Sequence, residues 1–485
     1  MSLRDYWPTA APLTTKFFTG PAADAHTKGQ ASLCDTLFKL VLMALAFAAA
    51  ALLLRDTNAI ALHIPHDPNE GWNAYLAHAA MTGGPLYPQG LMSNNYPPLS
   101  FYVVAALSFI TGDPIMAGRL LSLGAFIAAA ISIIVILREM GAGVLGALFG
   151  ALFFATGLLA ASDYVAMNDP QMLGHALQLG GLSLLLQKNR REIIPAALAM
   201  AAGLFIKHNL IALPLAAAMW LAWQDRRAAI RFGVSGLVFC VAGLVLVRLL
   251  LDVNLFTALA SPRLWTIKNF LAGSGQFLSW SGAELVATAL LAWRGRADAA
   301  VRLVALYSSL ALAIGGLFAF GDGVDANIFF DAAIALSLGA GLALGNIPKR
   351  WAGLLALFVA LPLGLYLEKN VTASNFSFSD VFAREARLDI GFVQAHPGPA
   401  LCEDLTLCFW AGKEEPVDVF NLSEAIIRGK RGDGDLAHLL ETQYFGSIAL
   451  SSLTPFALGP HLKSVLLAHY HTVRQDDNGV FMERR

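Results

Sequence analysis

The chain has 485 residues, of which 56% are hydrophobic and only 14% are charged, whereas soluble proteins carry about 25% charged residues. So much apolar surface requires lipid as its solvent, which indicates an integral membrane protein. The net charge is −1 and no basic stripe stands out, which excludes a protein that binds nucleic acid through its phosphates.

A membrane-spanning helix needs about 20 predominantly apolar residues. This rule predicts eleven spans, at 37–54, 114–137, 141–160, 170–187, 192–206, 209–224, 228–251, 273–293, 300–320, 326–345 and 350–367. For the first span a cleaved signal peptide is the alternative, because residues 48–51 are small. The 36 residues before the span exceed a usual charged leader, which favours a retained anchor.

Lysine and arginine residues gather at alternate connections between these spans. They occur before the first span and at 138, 188–191, 226–231, 294–302 and 349–350. Loop 56–113, in contrast, has no lysine or arginine. Because short basic loops stay in the cytoplasm, the chain divides into a cytoplasmic segment at 1–36, a transmembrane domain at 37–368 and an extracytoplasmic soluble domain at 369–485.

Two stretches inside the transmembrane domain are polar or too short to span. In the outer loop 55–113, we expect one helix over Glu70–Met81 and a second that opens at Tyr96-Pro97-Pro98-Leu99 and ends by Gly112. The second is only about 12 residues long and is predicted to lie along the membrane surface. Arg263 and Lys268 mark 252–272 as another interfacial segment.

The composition after residue 368 predicts a small α/β domain. We expect a turn at 396–399, helices over Ser423–Arg428 and Ala437–Thr442, and a strand over Tyr444–Ser451. Cys402 and Cys408 lie six residues apart in this domain. An oxidising compartment allows a disulfide between them, and two buried free thiols are the alternative.

Acidic residues in the outer loops are the candidates for chemistry, since charge beside hydrocarbon is costly and is usually retained for a use. Asp67 and Glu70 follow the first span, and Asp169 lies between the third and fourth. Two such carboxylates can deprotonate a hydroxyl and orient a substrate. Helix capping is the alternative for Asp67 and Asp169, because a proline follows each. His63 and His66 could bind a metal with a third ligand, but solvated loop histidines are the simpler interpretation.

Basic residues on the predicted outer side are the candidates for binding a lipid phosphate by charge-assisted hydrogen bonds. They are Arg119, Lys207, Arg248, Arg263 and Lys268. The alternative for Arg119 and Arg248 is snorkelling, in which a long side chain reaches the headgroups from within a helix.

Several short motifs occur in a fixed order along residues 35–370. They are NEGWNAYLAHA at 69–79, GGPLY at 83–87, NNYPPLSFY at 94–102, GRLLS at 118–122, the Asp169 loop, IKHNLIALPL at 206–215 and GDGVDANIFFD at 321–331. As an ensemble they resemble the glycosyltransferase C superfamily, specifically family-39-like enzymes related to protein O-mannosyltransferases and lipid A aminoarabinose transferases. The expected fold class is therefore a polytopic α-helical membrane protein of this type, with a small α/β domain outside the membrane.

The resemblance implies an inverting enzyme that moves a sugar from a polyprenyl-phosphate donor to an acceptor hydroxyl at the outer face of the plasma membrane. The candidate catalytic residues are Glu70, Asp67 and Asp169. The candidates for binding the substrate and the lipid phosphate are Lys207, Arg119, Arg248, Tyr96, Asn327 and Asp331. No cofactor is certain, although carboxylates could hold Mg²⁺ or Mn²⁺. The expected partners are the lipid-linked sugar, a glycan, lipid or protein acceptor, and membrane lipids.

Two positions depart from the pattern of this superfamily. Members commonly have Asp-Glu where this chain has Asn69-Glu70, so the acidic role passes to Glu70 or Asp67. Many have a lysine before the two prolines, where this chain has Asn95-Tyr96, so Lys207 and the arginines must supply the positive charge. Two other classes of function stay open. They are a transporter or flippase of a lipid-linked saccharide, and a non-enzymatic scaffold whose outer domain binds a partner.

Overall fold

The structure, a computed structural model, describes residues 25–88, 90–161, 163–187, 192–260, 263–371, 380–414, 416–454 and 456–485. Most of the predicted N-terminal segment and the predicted basic connection at 188–191 lie outside the described residues.

The part before residue 371 is helical. Its helices are α1 (Ala25–Ala59), α2 (Pro68–Thr82), α3 (Leu99–Thr111), α4 (Pro114–Glu139), α5 (Val144–Ala161), α6 (Gln171–Leu186), α7 (Ile193–Ile206), α8 (Ala212–Gln224), α9 (Arg226–Leu251), α10 (Leu255–Leu259), α11 (Ile267–Arg294), α12 (Ala299–Phe318), α13 (Phe330–Asn346) and α14 (Lys349–Asn370). Short 3-10 turns occur at Asp163–Val165 and Ala326–Phe329.

A helix lies at each of the eleven predicted spans. By length and composition, seven helical stretches within the described residues could cross a membrane. They are Leu33–Ala59, Pro114–Glu139, Val144–Ala161, Arg226–Leu251, Ala299–Phe318, Ala326–Asn346 and Lys349–Asn370. The other four predicted spans coincide with α6, α7, α8 and α11, of which the first three have 16, 14 and 13 residues. The total of eleven spans therefore stays a prediction.

The orientation of the chain is open to a direct test. The alternation of basic loops predicts that a reporter fused after residue 370 is extracytoplasmic and that one fused after residue 191 is cytoplasmic. Paired alkaline phosphatase and fluorescent-protein fusions at both positions measure this. Fusions that report the same side at both positions would contradict the predicted number of spans between them.

Helix α13 lies at the centre of the bundle and packs against α5, α11 and α12. Nearly all of its side chains are buried. A Cβ atom added at Gly146 of α5 would overlap the backbone oxygen of Gly341 in α13. Glycine at this position therefore permits the close approach of the two helix backbones, as is common between membrane helices.

The two helices predicted in loop 55–113 are confirmed as α2 and α3. Asp67 caps the first turn of α2, since its Oδ1 accepts the amide hydrogen of Asn69, and Pro68 fits the first helical position. Gly83 ends α2 and Gly112 ends α3, each with a positive φ that glycine adopts without strain. The placement of α3 along the membrane surface stays a prediction.

Residues 380–485 form an α/β domain. Its elements are α15 (Asp380–Ala395), β1 (Ala400–Cys402), α16 (Leu405–Trp410), α17 (Val419–Ile427), α18 (Gly434–Glu441), β2 (Ser447–Leu450), α19 (Pro460–His469), β3 (Tyr470–Asp476) and β4 (Gly479–Arg484). The strand order is β1-β2-β4-β3, with β1 parallel to β2 and the other pairs antiparallel.

The predicted elements of this domain are present with shifted ends. The strand is shorter than 444–451, and the two helices begin earlier than predicted. Strands β1, β3 and β4 and helices α15, α16 and α19 were not predicted. Cys402 and Cys408 form a disulfide, which decides between the two alternatives left open by the sequence.

Candidate active site

A cavity of about 540 Å³ lies where α2, the α7–α8 connection, the 263–265 and 321–328 segments and the C-terminal domain meet. The ionisable and aromatic side chains that line it include Asp67, Trp72, Tyr96, Tyr164, Lys207, His208, Arg263, Trp265, Phe318, Asp325, Glu403, Asp418 and Phe420. A cavity of this size with convergent polar groups is a typical small-molecule site.

Asp67 is the predicted catalytic carboxylate that lines the cavity. Burial raises the pKa of Asp67 to about 6, and the negative charges of Asp325, Asp169 and Asp404 contribute, against the hydrogen bond from the Asn69 amide. A carboxylate with this pKa is mostly ionised at neutral pH and can accept a proton at little cost. Asp67 therefore both caps α2 and lines the cavity.

Glu70 points away from the cavity and forms a fully buried ion pair with Arg119. Arg119 Nε donates to Glu70 Oε1 at 2.7 Å and Nη2 donates to Oε2 at 2.5 Å. The same guanidinium also donates to the backbone oxygens of Leu62 and Ile64, both at 2.7 Å. Burial raises the pKa of Glu70, but the hydrogen bonds and charge of Arg119 more than offset it and hold that pKa below its usual value. This pair fixes the 62–64 backbone beside α2.

Asp169 lies behind Lys207 and is itself buried. Asp169 Oδ1 accepts the Gln171 amide hydrogen at 2.8 Å at the start of α6, and lies 3.5 Å from Lys207 Nζ. Within the described residues, Asp169 Oδ2 is buried without a hydrogen-bond partner. Lys207 Nζ also lies 5.0 Å from the centre of the Tyr96 ring. Lys207 and Tyr96 line the cavity, so Lys207 lies between the cavity and Asp169.

The other three predicted binding residues lie in different places. Asn327 lines the cavity. Asp331 lies deeper in the bundle, where its Oδ1 accepts from the Tyr307 hydroxyl at 2.6 Å and lies 3.7 Å from His175 Nδ1. Arg248 is exposed near the end of α9 and pairs with Asp252 one turn away. Neither Asp331 nor Arg248 is among the cavity-lining residues.

The C-terminal domain supplies one wall of the cavity, which sequence reasoning missed. Glu403, Asp418 and Phe420 line it, and burial raises the pKa of Asp404 to about 6. The guanidinium of Arg263 lies 4.8 Å from the centre of the Phe420 ring. A signal for this wall in the sequence is the run of acidic and aromatic residues in the segment LCEDLTLCFWAGKEEPVDVF at 401–420.

The histidines near α2 differ in their surroundings. His63 is exposed and stacks on Trp410. Burial lowers the pKa of His66 to about 4, so its ring is neutral at physiological pH. Within the described residues, no three His, Cys, Asp or Glu side chains are grouped closely enough to hold a metal ion. The Mg²⁺ or Mn²⁺ ion that carboxylates could hold stays a prediction.

Comparison with known proteins shows which fold this chain shares. A family model described as 6-pyruvoyl-tetrahydropterin synthase related domain, membrane protein, matches residues 94–252. A comparison with curated proteins gives no match. ArnT from Cupriavidus metallidurans, solved with undecaprenyl phosphate, is similar at a TM-score of 0.60 and 14% identity, over 92% of this chain and 98% of that chain.

Two further solved structures have the same architecture. The Archaeoglobus fulgidus oligosaccharyltransferase with a tethered NVT acceptor peptide has a TM-score of 0.54 and 11% identity, over 92% of this chain and 74% of that chain. AglB from the same organism, in complex with an inhibitory peptide and a dolichol-phosphate, has a TM-score of 0.52 and 10% identity, over 87% and 70%. The chain has the glycosyltransferase C fold. It is a multi-pass membrane protein with a small C-terminal sheet, which confirms the predicted fold class.

Proposed function

We propose that this protein transfers a sugar from a polyprenyl-phosphate donor to an acceptor hydroxyl at the outer face of the membrane. One observation carries the proposal. A single cavity is lined by a carboxylate poised to accept a proton, Asp67, and by two cations, Lys207 and Arg263. A transfer that releases a phosphate and deprotonates a hydroxyl requires both kinds of group.

Lys207 and Arg263 would bind the phosphate of the donor. Among the described residues, the Nη1 atom of Arg263 is buried without a hydrogen-bond partner, and a buried donor of this kind favours an anionic ligand. The similar proteins support this assignment, because ArnT was solved with undecaprenyl phosphate and AglB with a dolichol-phosphate. The prenyl tail of the donor would lie between helices.

The acceptor oxygen would attack the anomeric carbon while the bond from that carbon to the phosphate oxygen breaks. Asp67 takes the proton from the acceptor hydroxyl, and the two cations stabilise the departing polyprenyl phosphate. Direct displacement inverts the anomeric centre. Asp169 holds Lys207 in place through its carboxylate, and its use as a second base stays a prediction.

A transporter or flippase of a lipid-linked saccharide is the second candidate. It would place ionisable groups deep between spanning helices. Two buried contacts favour it, namely Asp331 with Tyr307, and Glu284 with Ser337 at 2.9 Å. Only the transferase releases polyprenyl phosphate as a product.

The proposal is tested by replacing the cavity lysine. Lys207→Met should weaken the binding of undecaprenyl phosphate about 10- to 100-fold, because a charge-assisted hydrogen bond contributes about 1.5 to 3 kcal/mol. Lys207→Arg should retain most of the binding. The affinity is measured by native mass spectrometry of purified protein with added undecaprenyl phosphate, and turnover by the release of that lipid from a panel of undecaprenyl-phosphate sugars.

Arg248→Met is the matched control, because it also removes one positive charge but lies outside the cavity. It should bind the lipid as tightly as the wild type. Arg263→Met tests the second cation in case the loss of Lys207 perturbs Asp169. Equal affinity in all four variants would remove the proposed phosphate site, and transport without release of undecaprenyl phosphate would favour the second candidate.

A further inference from the structure

The disulfide between Cys402 and Cys408 closes a turn that joins the C-terminal sheet to the cavity. Cys402 ends β1, which is buried and paired with β2, and Cys408 lies in α16. We call residues 402–408 the disulfide turn. Two of its residues, Glu403 and Leu405, line the cavity.

The disulfide turn contacts α2 at the turn of helix that follows Asp67. The amide of Gly71 donates to Thr406 Oγ1 at 3.1 Å, and both groups are buried. A Cβ atom at Gly71 would overlap the backbone of Thr406 and Leu405, so the two backbones touch here. The Leu405 side chain packs with Trp72 and Leu76 in one apolar cluster. The position of α2 is therefore set partly by the C-terminal domain.

The residues that follow the disulfide turn add a second set of contacts. Trp410 Nε1 donates to Asp113 Oδ2 at 3.1 Å, and the Trp410 ring stacks on His63 with 4.7 Å between ring centres. The Tyr75 hydroxyl donates to the backbone oxygen of Lys413 at 2.5 Å. Helix α16 and its flanks thus contact the chain on both sides of Asp67.

Helix α16 has only six residues, a length that is not stable without support from the rest of the structure. The disulfide ties it to β1 inside the sheet. Opening the disulfide would free α16 to move relative to the sheet, and α2 would lose a fixed contact. Since Asp67 caps the first turn of α2, its carboxylate would move relative to Lys207 and Arg263.

We propose that the Cys402–Cys408 disulfide positions Asp67 through the contact between the disulfide turn and α2, so that sugar transfer depends on the redox state of this pair. The inference rests on the proposed function. Cys402 and Cys408 are positioning residues and touch no substrate. A dithiol reductant supplies two electrons and two protons, the two cysteines become thiols, and the two sulfurs of the reductant form its own disulfide.

The test compares oxidised and dithiothreitol-reduced full-length protein in which Cys34→Ser and Cys240→Ser remove the two other cysteines. Mass spectrometry without reduction should find Cys402 and Cys408 linked. Reduction should lower kcat about 10- to 100-fold, as expected for a small displacement of a catalytic group. The KM for the donor should change little, and reoxidation should restore kcat.

Hydrogen exchange provides a readout that needs no substrate. After reduction, the peptide covering 65–76 should exchange faster, whereas the peptide covering 99–111 should be unchanged. Thr406→Val removes only the hydroxyl bonded to Gly71 and should reproduce part of the effect with the disulfide intact, and Thr406→Ser should restore the wild-type behaviour.

Three outcomes would overturn the inference. They are free thiols in the oxidised protein, unchanged exchange at 65–76 after reduction, and faster exchange with unchanged kcat. If the oxidised protein transfers no sugar, the proposed function fails instead, and the exchange comparison still decides whether the disulfide holds α2 in place.

Discussion

Replacing Asp67 with asparagine should lower sugar transfer by about 100-fold or more, because a positioned general base contributes about 10²- to 10⁴-fold to the rate. The fold should survive. Asparagine caps a helix about as well as aspartate, and its side-chain oxygen can still accept the Asn69 amide hydrogen that Asp67 accepts at 2.8 Å. Turnover is measured as undecaprenyl phosphate released by reconstituted protein, and folding by the thermal unfolding temperature.

The raised pKa of Asp67 predicts the pH dependence of the same reaction. A base works only in its deprotonated form, so kcat/KM should fall as the pH drops below about 6, the pKa of the Asp67 carboxyl group. Well below that pKa, kcat/KM should fall tenfold for each pH unit. In the asparagine variant, the residual activity should lack this acid limb.

Asp298→Asn is the matched control for Asp67→Asn. Asp298 also caps a helix, since its Oδ1 accepts the Ala300 amide hydrogen at 2.8 Å, but it does not line the cavity. The control should retain full activity. An Asp67→Asn protein that transfers sugar at the wild-type rate, with an unchanged pH profile, would leave Asp67 a helix cap and remove the proposed base.

Replacing Glu70 with glutamine should instead destabilise the protein, by about 3 to 5 kcal/mol, because it leaves the charge of Arg119 buried without its partner. Both side chains have no exposed surface. Glu70 Oε1 also accepts the Asn168 amide hydrogen at 3.0 Å, so the loop that carries Asp169 should loosen as well. The measurement is the thermal unfolding temperature of the protein in detergent.

Asp252→Asn is the control for this variant, because it breaks an ion pair with Arg248 that is exposed to solvent. Exposed pairs contribute little to stability, so its unfolding temperature should match the wild type. Glu70→Gln should therefore lose stability and activity together, while Asp67→Asn loses activity alone. An equally stable Glu70→Gln protein that has lost only turnover would return Glu70 to the catalytic role expected from the resemblance.

Local patterns in the sequence located the helices of the membrane domain. Long apolar runs, proline after aspartate and glycine at helix ends act within a few residues, so α2, α3 and the segments corresponding to the predicted spans could be recognised without tertiary information. The elements of the C-terminal domain were harder to predict from the sequence, because its strands are short. The signal for β3 and β4 was the sequence Asp-Asn-Gly at 477–479, a typical hairpin turn.

The residues of the candidate site were also readable from the sequence, but their positions relative to the cavity were not. Asp67, Glu70, Asp169 and Lys207 could be recognised as candidate site residues because they are charged and lie in loops beside the membrane, where charge is unusual. Arg119 lies 49 residues from Glu70, and their ion pair is a long-range contact that no local pattern reveals. That contact directs Glu70 into the bundle and leaves Asp67 for the cavity.

The sequence by itself determined that this is a multi-pass membrane protein, because hydropathy is a property of neighbouring residues. Its short motifs only resemble those of the glycosyltransferase C superfamily, and the comparison of structures confirms that fold. Only the tertiary structure decided that Arg248 faces away from the cavity, that Asp331 lies beneath it and that the disulfide turn forms part of its wall. These positions depend on which faces of the helices pack together and on contacts such as that of Gly71 with Thr406, which are 335 residues apart. Packing, which sums many weak contacts between distant segments, fixes such positions.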